Sequence, residues 1–352
     1  MMKIALITDQ HLGVRNDNLV LHDYFEKFYS ECFFPYIDEH NIDTIITLGD
    51  IFDRRKFINF DTLSRARSYW FDEVEKRKIE SHYILGNHDV YFKSTNRINS
   101  PDLLLQDYNL IVHEHPTEID FGSTKVLMLP WINNENYESS LKAVENSNAS
   151  VVMAHLELQG FEMYRGAMNE HGLSHKTFSK FDYVFTGHFH HKSTKDNVHY
   201  LGAPYEMTWS DYNDPRGFHI FDTETSELTF VQNPFTIFNK VFYDDTDVND
   251  QELLSTDFSY IKNSYVKVVV KNKDNPYLFD LFIDRLNSYD PNNLQVVEDN
   301  LNLQIEDESD IIDEAEDTVT IINKYIGNLS LDNPKKMEQL FFDLYTEALS
   351  VE

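Results

Sequence analysis

The sequence predicts an α/β protein whose sheets are covered by helices, followed by a smaller second region. Short apolar runs typical of strands alternate with longer helical patterns through about the first 190 residues. From about residue 198 the runs shorten, and turn signals such as NDPRG and DTETS between them predict antiparallel hairpins. Acidic residues predominate further on, and all 15 histidines lie at or before His219. The front and the back of the chain therefore differ in chemistry.

The elements of the front region follow in order along the chain. KIALIT predicts the first buried strand, and the helix after it places one apolar stripe at Phe25, Phe28, Cys32 and Tyr36. TIITLG predicts the next strand, and its helix has an apolar face of Leu63, Ala66, Trp70 and Val74. The strand series continues with HYILG, KVLMLP, SVVMAH and DYVFTG, and the later hairpins contain VHYLGAP, GFHIFDTET and ELTFVQNP.

The back region predicts a small domain and a helical end. SYVKVVVK, a helical run around NPYLFDLFIDRLNSY, and LQVVED together suffice for a small α+β domain. IEDESDIIDEAED is a charge run typical of a solvated linker, and PKKMEQLFFDLYTEAL predicts a terminal amphipathic helix. We therefore predict a front domain over 1–238, the small domain over 239–305, and an acidic linker with C-terminal helices over 306–352.

Composition excludes several classes of protein. With 41% hydrophobic residues in 352, the chain can bury a globular core. The single cysteine, Cys32, excludes an internal disulfide framework and a multi-cysteine zinc site, and it fits a reducing cytoplasm. The apolar run at the N-terminus is too short for a signal peptide, and no run approaches the length of a membrane span. We expect a soluble, cytoplasmic protein.

The net charge of −30 argues against a uniform nucleic-acid surface. More than half of it lies after residue 240, where 25 acidic residues face 8 basic ones and give −17. The front region is therefore less acidic, and a local basic patch there remains open.

Polar side chains suited to binding metal follow five of the predicted strands. In chain order they are Asp9 and His11, Asp50, Asn87 with His88 and Asp89, His155, and finally His188 and His190. The carboxyl ends of strands in α/β sheets converge on one crevice, so these side chains are expected to meet. Nitrogen and oxygen donors without thiolate suit Mn²⁺, Fe or Zn. Their number exceeds what one catalytic ion needs and predicts two ions bridged by a carboxylate.

These motifs resemble those of the calcineurin-like metallophosphoesterases. The ordered set DQH, GDIFD, GNHD, the lone His155 and GHFH carries the resemblance. DQHLGV, GDIFDRRK, GNHDVYFK, MLPWINNEN, ELQGFEMYRGAMNEHGL and NDPRGFHIFDTET are further similar to the SbcD-type DNA repair nucleases, including those of phages. The resemblance implies a metallophosphoesterase β-sandwich flanked by helices over 1–238, a capping domain over 239–305, and C-terminal helices that bind an ATPase.

The resemblance also implies roles for the polar residues. One ion is held by Asp9, His11 and His190, the other by Asn87, His155 and His188, and Asp50 bridges them. The family usually uses two Mn²⁺ ions. His88 stabilises the transition state or donates a proton, and Asp89 orients His88. Since His191 points away from its neighbours in an extended chain, it is expected to be an ordinary rim residue.

The implied function is hydrolysis of DNA phosphodiesters during DNA end processing, recombination and repair, by exonuclease and endonuclease action. The implied partners are DNA, an SbcC-type coiled-coil ATPase and a second copy of the chain. Eight basic residues near the motifs are candidate DNA contacts: Arg15, Arg54, Arg55, Lys56, Lys93, Arg97, Arg165 and Lys192.

Three alternatives stay open at the level of sequence. The same metal set would serve a protein phosphatase or a nucleotide phosphodiesterase. A non-catalytic scaffold with a vestigial site is the third. For Asp53, the favoured interpretation is a helix N-terminal acid or a partner of Arg54.

Overall fold

The computed structural model describes residues 2–164, 167–246 and 255–298, together with 326, 336–337 and 339–341. The chain divides into two compact units. The first contains residues 1–207 and 213–235, and the second contains residues 208–212 and the chain from 236. This division lies close to the expected boundary at 238, although the short segment Thr208–Tyr212 groups with the second unit. The roles assigned to the predicted domains remain predictions.

The first unit contains two six-stranded sheets and a small hairpin. Its strands are β1 (Lys3–Ile7), β2 (Thr44–Thr47), β3 (Glu80–Ile84), β4 (Leu110–His113), β5 (Thr117–Phe121), β6 (Thr124–Leu129), β7 (Val151–His155), β8 (Glu162–Tyr164), β9 (Ala167–Met168), β10 (Tyr183–Gly187), β11 (Ser193–Lys195), β12 (Val198–Tyr200), β13 (Gly217–Asp222) and β14 (Leu228–Gln232). One sheet has the order β14-β13-β1-β2-β3-β4, the other β11-β12-β10-β7-β6-β5, and β8 pairs with β9. β1, β2, β3 and β4 are parallel, as are β6, β7 and β10.

The two sheets pack face to face because alternate residues of their strands point to opposite sides. In β7, Val151 and Met153 join the core between the sheets, while Val152 and Ala154 face the core on the other side. Ile4 and Leu6 of β1 belong to that same central core. The predicted α/β sandwich flanked by helices is therefore confirmed.

The helices of the first unit are α1 (Val14–Asp17), α2 (Leu19–Phe28), α3 (Phe34–Glu39), α4 (Phe60–Ala66), α5 (Asp72–Arg77), α6 (Ser100–Leu104) and α7 (Tyr137–Asn146). π-helical turns, Tyr29–Phe33 and Arg67–Phe71, join α2 to α3 and α4 to α5. α1 is an irregular turn, since Arg15 and Asn16 within it have left-handed backbone angles. Single 3₁₀ turns span His175–Phe178, Trp209–Asp211 and Ser259–Ile261.

The first π-helical turn corrects the predicted apolar stripe. Phe25 and Phe28 are buried as expected, but Cys32 is only half-buried, and Phe33 is fully buried in its place. A π turn contains one residue more than an α turn and shifts the buried face along the sequence. A constant period of 3.6 could not predict that shift.

The second unit is built on a three-stranded parallel sheet. Its elements are β15 (Phe238–Asp244), β16 (Tyr265–Asn272), α8 (Pro276–Asn287) and β17 (Asn293–Glu298), and the strand order follows the chain. β16, α8 and β17 form the parallel βαβ connection expected for a helix between two neighbouring strands. Val266 and Val268 of β16 pack with Phe282 and Leu286 of α8. The sequence predicted the last three elements but not β15.

The predicted linker and C-terminal helices over 306–352 lie almost entirely outside the described residues. Leu340 and Phe341, two members of the predicted terminal stripe, are described and are 52% and 40% exposed. Among the described residues, no helix is both long and apolar enough to cross a membrane.

Candidate metal centre

Five strand ends bring the polar motifs together. β1, β2 and β3 supply them from one sheet, and β7 and β10 from the other. The backbone turns sharply after β2, where Gly49 has φ +93. A Cβ at Gly49 would lie 2.4 Å from His155 Nδ1, so glycine lets the two sheets approach at this point.

The first cluster consists of Asp9, His11 and His190, whose potential ligand atoms lie within 4.8 Å of one another. His190 Nε2 is 3.0 Å from His11 Nε2, and His11 Nε2 is 3.9 Å from Asp9 Oδ1. Asp9 is fully buried, and Thr8 Oγ1 donates a hydrogen bond of 2.8 Å to its Oδ2. Its carboxylate also accepts the backbone N–H of His188 at 3.1 Å, which ties this cluster to the next.

The second cluster consists of Asp50, His155 and His188, with Asn87 between the two imidazoles. Asn87 Oδ1 lies 3.0 Å from His155 Nε2 and 2.9 Å from His188 Nδ1. His155 Nδ1 is 2.7 Å from the Leu48 carbonyl. If that nitrogen donates the hydrogen bond, Nε2 is left as the ligand atom, which is how outer partners commonly fix metal-binding histidines.

Asp50 lies between the two clusters. Its Oδ2 is 3.3 Å from His155 Nε2 and 3.7 Å from His11 Nε2. Its Oδ1 accepts the backbone N–H of His88 at 2.8 Å. One carboxylate is therefore placed against donors of both clusters.

Burial and the carboxylates determine the charge states in this centre. Burial opposes the imidazolium form of His11, but the Asp53, Asp50 and Asp9 carboxylates outweigh it and raise its pKa to about 9. Burial likewise opposes charge on His155, yet Asp50 and Asp9 raise its pKa to about 9. Burial and neighbouring positive charge lower the pKa of His188 to about 3 and that of His190 well below its usual range. The buried carboxylates thus stabilise positive charge on His11 and His155, whereas His188 and His190 are kept neutral.

The donor set fits divalent metal. Convergent imidazole nitrogens, carboxylates and an amide oxygen without thiolate are ligands typical of Mn²⁺, Fe and Zn. Two clusters sharing Asp50 match the arrangement of a pair of ions bridged by a carboxylate. All seven predicted ligands therefore lie in one place.

His88 and Asp89 are arranged differently from the prediction. Asp89 Oδ2 accepts the backbone N–H groups of Gly86 and Asp50 at 2.8 Å, and its Oδ1 accepts that of Ile51 at 3.1 Å. Asp89 thus joins the loops after β2 and β3, and burial, reinforced by Asp50, raises its pKa to about 6. The His88 ring is oriented by the Asp53 backbone carbonyl, 2.5 Å from its Nδ1.

Asp53 is not the partner of Arg54 that the sequence favoured. Arg54 Nη1 pairs with Asp17 Oδ2 at 2.9 Å, and its Nη2 donates to Asn16 Oδ1 at 2.7 Å. Asp53 instead turns its Oδ1 to His11 Nδ1, at 3.4 Å. Left-handed residues between Arg15 and Asp17 reverse the chain and bring Asp17 to Arg54, an arrangement that local spacing does not reveal.

The predicted DNA-contact residues differ in their environments. Arg55 donates to the Val90 and Tyr91 carbonyls, Arg97 forms an ion pair with Glu135, and the Lys192 ammonium lies 3.4 Å from the centre of the Phe230 ring. Arg165 lies outside the described residues. Arg15, Lys56 and Lys93 lie in the described part of the first unit. Their contact with DNA remains a prediction.

Sequence reasoning missed residues that support or border the centre. His191, expected to be a rim residue, has its Nδ1 2.9 Å from Asp214 Oδ2, which also pairs with Arg216 Nη2 at 2.9 Å. Arg216 Nη1 donates to the carbonyl of His190. The NDPRG motif therefore does more than form a turn. Trp131, two residues after the end of β6, has its ring centre 5.2 Å from that of His188.

Comparisons with known proteins agree with this geometry. The family model described as calcineurin-like phosphoesterase matches residues 2–192. Exonuclease subunit 1 of Enterobacteria phage T4 is 32% identical over 352 residues, covering 99% of both chains. The SbcD subunit of nuclease SbcCD from Staphylococcus epidermidis is 23% identical over 316 residues, covering 80% of this chain and 79% of that protein. A solved archaeal phosphodiesterase aligns with 66% of this chain and 99% of its own at 14% identity, with a TM-score of 0.32. The chain belongs to the calcineurin-like phosphoesterase family.

Proposed function

We propose that this chain is a metal-dependent DNA nuclease, with exonuclease and endonuclease action, that hydrolyses phosphodiester bonds during DNA end processing, recombination and repair. The observation that carries the proposal is the convergence of six side chains with nitrogen or oxygen donors around the shared carboxylate of Asp50. Relatives named as an exonuclease subunit and a nuclease subunit support DNA as the substrate.

The proposed ligand sets follow the two clusters. Asp9, His11 and His190 would hold one ion. Asn87, His155 and His188 would hold the other, with Asp50 shared by both. We propose Mn²⁺ for both positions, which the mixed nitrogen and oxygen donors suit. When bound, the two metal ions would supply an activated water and offset negative charge on the phosphate.

Residues of the chain itself hold the carboxylates and the His88 ring in position around the two proposed ion sites. Asp50 and Asp9 are buried carboxylates held by the backbone N–H groups of His88 and His188 respectively, so their positions are fixed before substrate arrives. The His88 ring stands edge-on to His11 with centroids 4.7 Å apart, and its Nδ1 is occupied by the Asp53 carbonyl. His88 Nε2 is thus the atom proposed to give a proton to the leaving oxygen.

Partners belong to the same proposal. An SbcC-type ATPase would bind the C-terminal helices, and the exposure of Leu340 and Phe341 supports this. Removal of residues 330–352 should abolish ATPase binding and leave cleavage of simple substrates intact, which a pull-down and a nuclease assay would measure together. Retained binding would contradict the assignment. A homodimer acting in the cytoplasm completes the proposal.

The deciding experiment is cleavage of end-labelled duplex DNA by the purified chain with Mn²⁺, with and without the ATPase. Wild-type protein should bind two Mn²⁺ per chain and cleave, whereas Asp50→Ala should lose bound metal and activity together. Asp120→Ala, which alters an exposed acid on β5, is the matched control and should change neither. Cleavage of a phosphopeptide with no cleavage of DNA would identify a phosphatase. Absence of bound metal in the wild type would identify a scaffold.

A further inference from the structure

A pocket of about 320 Å³ opens beside the second metal cluster. His155, a proposed ligand, forms part of its wall, and the side chains of Trp131, Tyr137 and Leu173 supply much of the apolar surface. Glu157 lines the same space and is half-buried. The pocket therefore borders the second cluster through His155, and it combines aromatic surface with one carboxylate.

Trp131 is held firmly at the mouth of this pocket. Its backbone N–H donates to the Leu85 carbonyl at 2.8 Å, and its own carbonyl accepts from Asn136 Nδ2 at 2.9 Å and from Asn96 Nδ2 at 3.3 Å. Its ring centre lies 5.2 Å from that of His188 and 6.0 Å from that of His155. The backbone of Trp131 is thus held by three hydrogen bonds, and its indole lies beside two proposed ligands of one ion.

A second part of the wall, formed by Glu157, Gly172 and Leu173, is also held by a backbone hydrogen bond. The Leu173 N–H donates to the Glu157 carbonyl at 3.0 Å, which joins the segment after β7 to the segment around Gly172. Gly172 has φ +87, and a Cβ there would lie 2.3 Å from the Glu157 carbonyl oxygen. Glycine is therefore required for this wall to close on the pocket.

Trp131 is more exposed to solvent than Trp70, a tryptophan of the core. Trp70 is only 1% exposed and packs among the rings of Tyr29, Phe33 and Phe34. Trp131 is half-buried, and its ring neighbours are two proposed metal ligands. An indole that retains accessible surface beside a phosphate site is suited to stack on a flat ring attached to that phosphate.

We propose that this pocket binds the nucleobase next to the scissile phosphate, with Trp131 as its stacking surface. The inference rests on the proposed nuclease function and adds a subsite to it. Tyr137 supplies a second aromatic side chain, and the Glu157 carboxylate can accept a hydrogen bond from a base N–H. Because every base has a stacking face, the subsite tolerates different sequences.

The test compares two product-like ligands that differ only in the base. Deoxyadenosine 5′-monophosphate carries sugar, phosphate and base, whereas deoxyribose 5-phosphate lacks the base. Their dissociation constants are measured by calorimetry on the Mn²⁺-loaded wild type, Trp131→Phe and Trp131→Ala. The wild type should bind the nucleotide roughly 5- to 150-fold more tightly than the sugar phosphate, the range given by stacking of one base.

In each protein, the ratio of the two dissociation constants measures the contribution of the base to binding separately from that of the metal centre. Trp131→Phe should keep most of that preference, and Trp131→Ala should bring the ratio close to one. A disturbance of the metals would weaken both ligands alike and leave the ratio unchanged. Phe60→Ala removes an aromatic ring that is 89% exposed on α4, and it should behave as the wild type.

Equal binding of both ligands by the wild type, or an unchanged ratio in Trp131→Ala, would overturn the base subsite. Either result would leave the nuclease proposal standing, provided that the wild type cleaves end-labelled DNA. Failure of the wild type to cleave DNA, with a clear base preference retained, would instead contradict the nuclease function and identify a site for free nucleotides.

Discussion

Arg216 and Asp214 hold the segment that carries His190. Arg216 donates to the His190 carbonyl and pairs with Asp214, whose carboxylate also contacts the His191 ring. Both members of the ion pair are buried, and they join the loop before β13 to the turn after β10. His191 is therefore a support of the metal centre rather than a rim residue.

This network predicts that Arg216→Met weakens metal binding without touching a ligand. Loss of the guanidinium frees the His190 carbonyl and leaves Asp214 buried beside His191, so His190 is no longer held in position. Outer-shell changes of this kind typically lower metal affinity about 10- to 100-fold. Calorimetric titration with Mn²⁺ measures the effect, and Arg97→Met, which alters an exposed ion pair, is the control. Unchanged affinity in Arg216→Met would show that the network is not needed.

His88 should affect turnover and not metal content. Its ring is held by the Asp53 carbonyl at the edge of the first cluster, and it is proposed as a proton donor rather than a ligand. His88→Ala is expected to bind two Mn²⁺ and to lose roughly 10²–10⁴ in turnover. Elemental analysis and DNA cleavage rates measured on the same preparation check both parts. Wild-type turnover, or loss of an ion, would be inconsistent with this role.

At the scale of single elements, continuous apolar runs made the central strands predictable. β2 and β7 are buried at every residue, and both were expected from TIIT and VVMAH. β4 and β5 were not predicted. Each is the edge strand of one of the two sheets, and most of its residues are half-buried or exposed. Burial on both faces leaves a clear pattern in the sequence, and an edge position does not.

The π-helical turn between α2 and α3 gives a test at this scale. Phe33 is fully buried against Phe28 and Trp70, whereas Cys32 is half-buried. Phe33→Ala should lower the free energy of unfolding by about 3–5 kcal/mol, the usual range for a buried phenylalanine. Cys32→Ala should lower it by less than about 1 kcal/mol. Urea denaturation of both variants measures the difference. A loss for Phe33→Ala as small as that for Cys32→Ala would contradict the shifted buried face.

The metal centre could be predicted from the sequence only in part. The convergence of the seven predicted ligands could be predicted, because each follows an apolar strand and the ends of parallel strands meet. Their binding of metal remains a prediction. The contacts of Asp53, Asp89 and His191 were not found, because each depends on a side-chain direction within a loop. A motif specifies which residues gather, and the loop backbone determines which atoms face one another.

At the scale of the whole molecule, the two units divide the chemistry of the chain. The metal centre and all 15 histidines belong to the first unit, and the acidic excess lies mainly in the second. The seven candidate basic contacts that the structure describes also belong to the first unit. We therefore expect DNA to be bound by the first unit, with the acidic remainder adding repulsion that salt weakens.

The stability of the first unit should depend on pH through a buried histidine pair, His82 on β3 and His113 on β4. His113 on β4 lies with its Nε2 3.0 Å from His82 Nδ1, and His82 Nε2 contacts Glu80 at 2.7 Å. Burial, with a smaller contribution from His82, lowers the pKa of His113 to about 4. The unfolded chain, with an ordinary histidine pKa of about 6.5, binds the proton more readily between these values. The stabilising contribution of neutral, buried His113 is therefore complete above pH 6.5 and is lost as the pH falls towards 4.

The difference between the folded and unfolded pKa of His113 lowers the free energy of unfolding by about 2 kcal/mol between neutral pH and pH 5. His113→Asn, which removes the titrating group, should therefore show a smaller decrease in unfolding free energy over this interval than the wild type. Urea denaturation at pH 7.5 and 5.0, followed by tryptophan fluorescence, reports mainly on the first unit, because Trp70 and Trp131 belong to it. The other histidines titrate in both proteins, so the difference between the two decreases reports on the coupled pair of His113 and His82. Parallel decreases in the two proteins would show that His113 is protonated as easily in the folded chain as in the unfolded one.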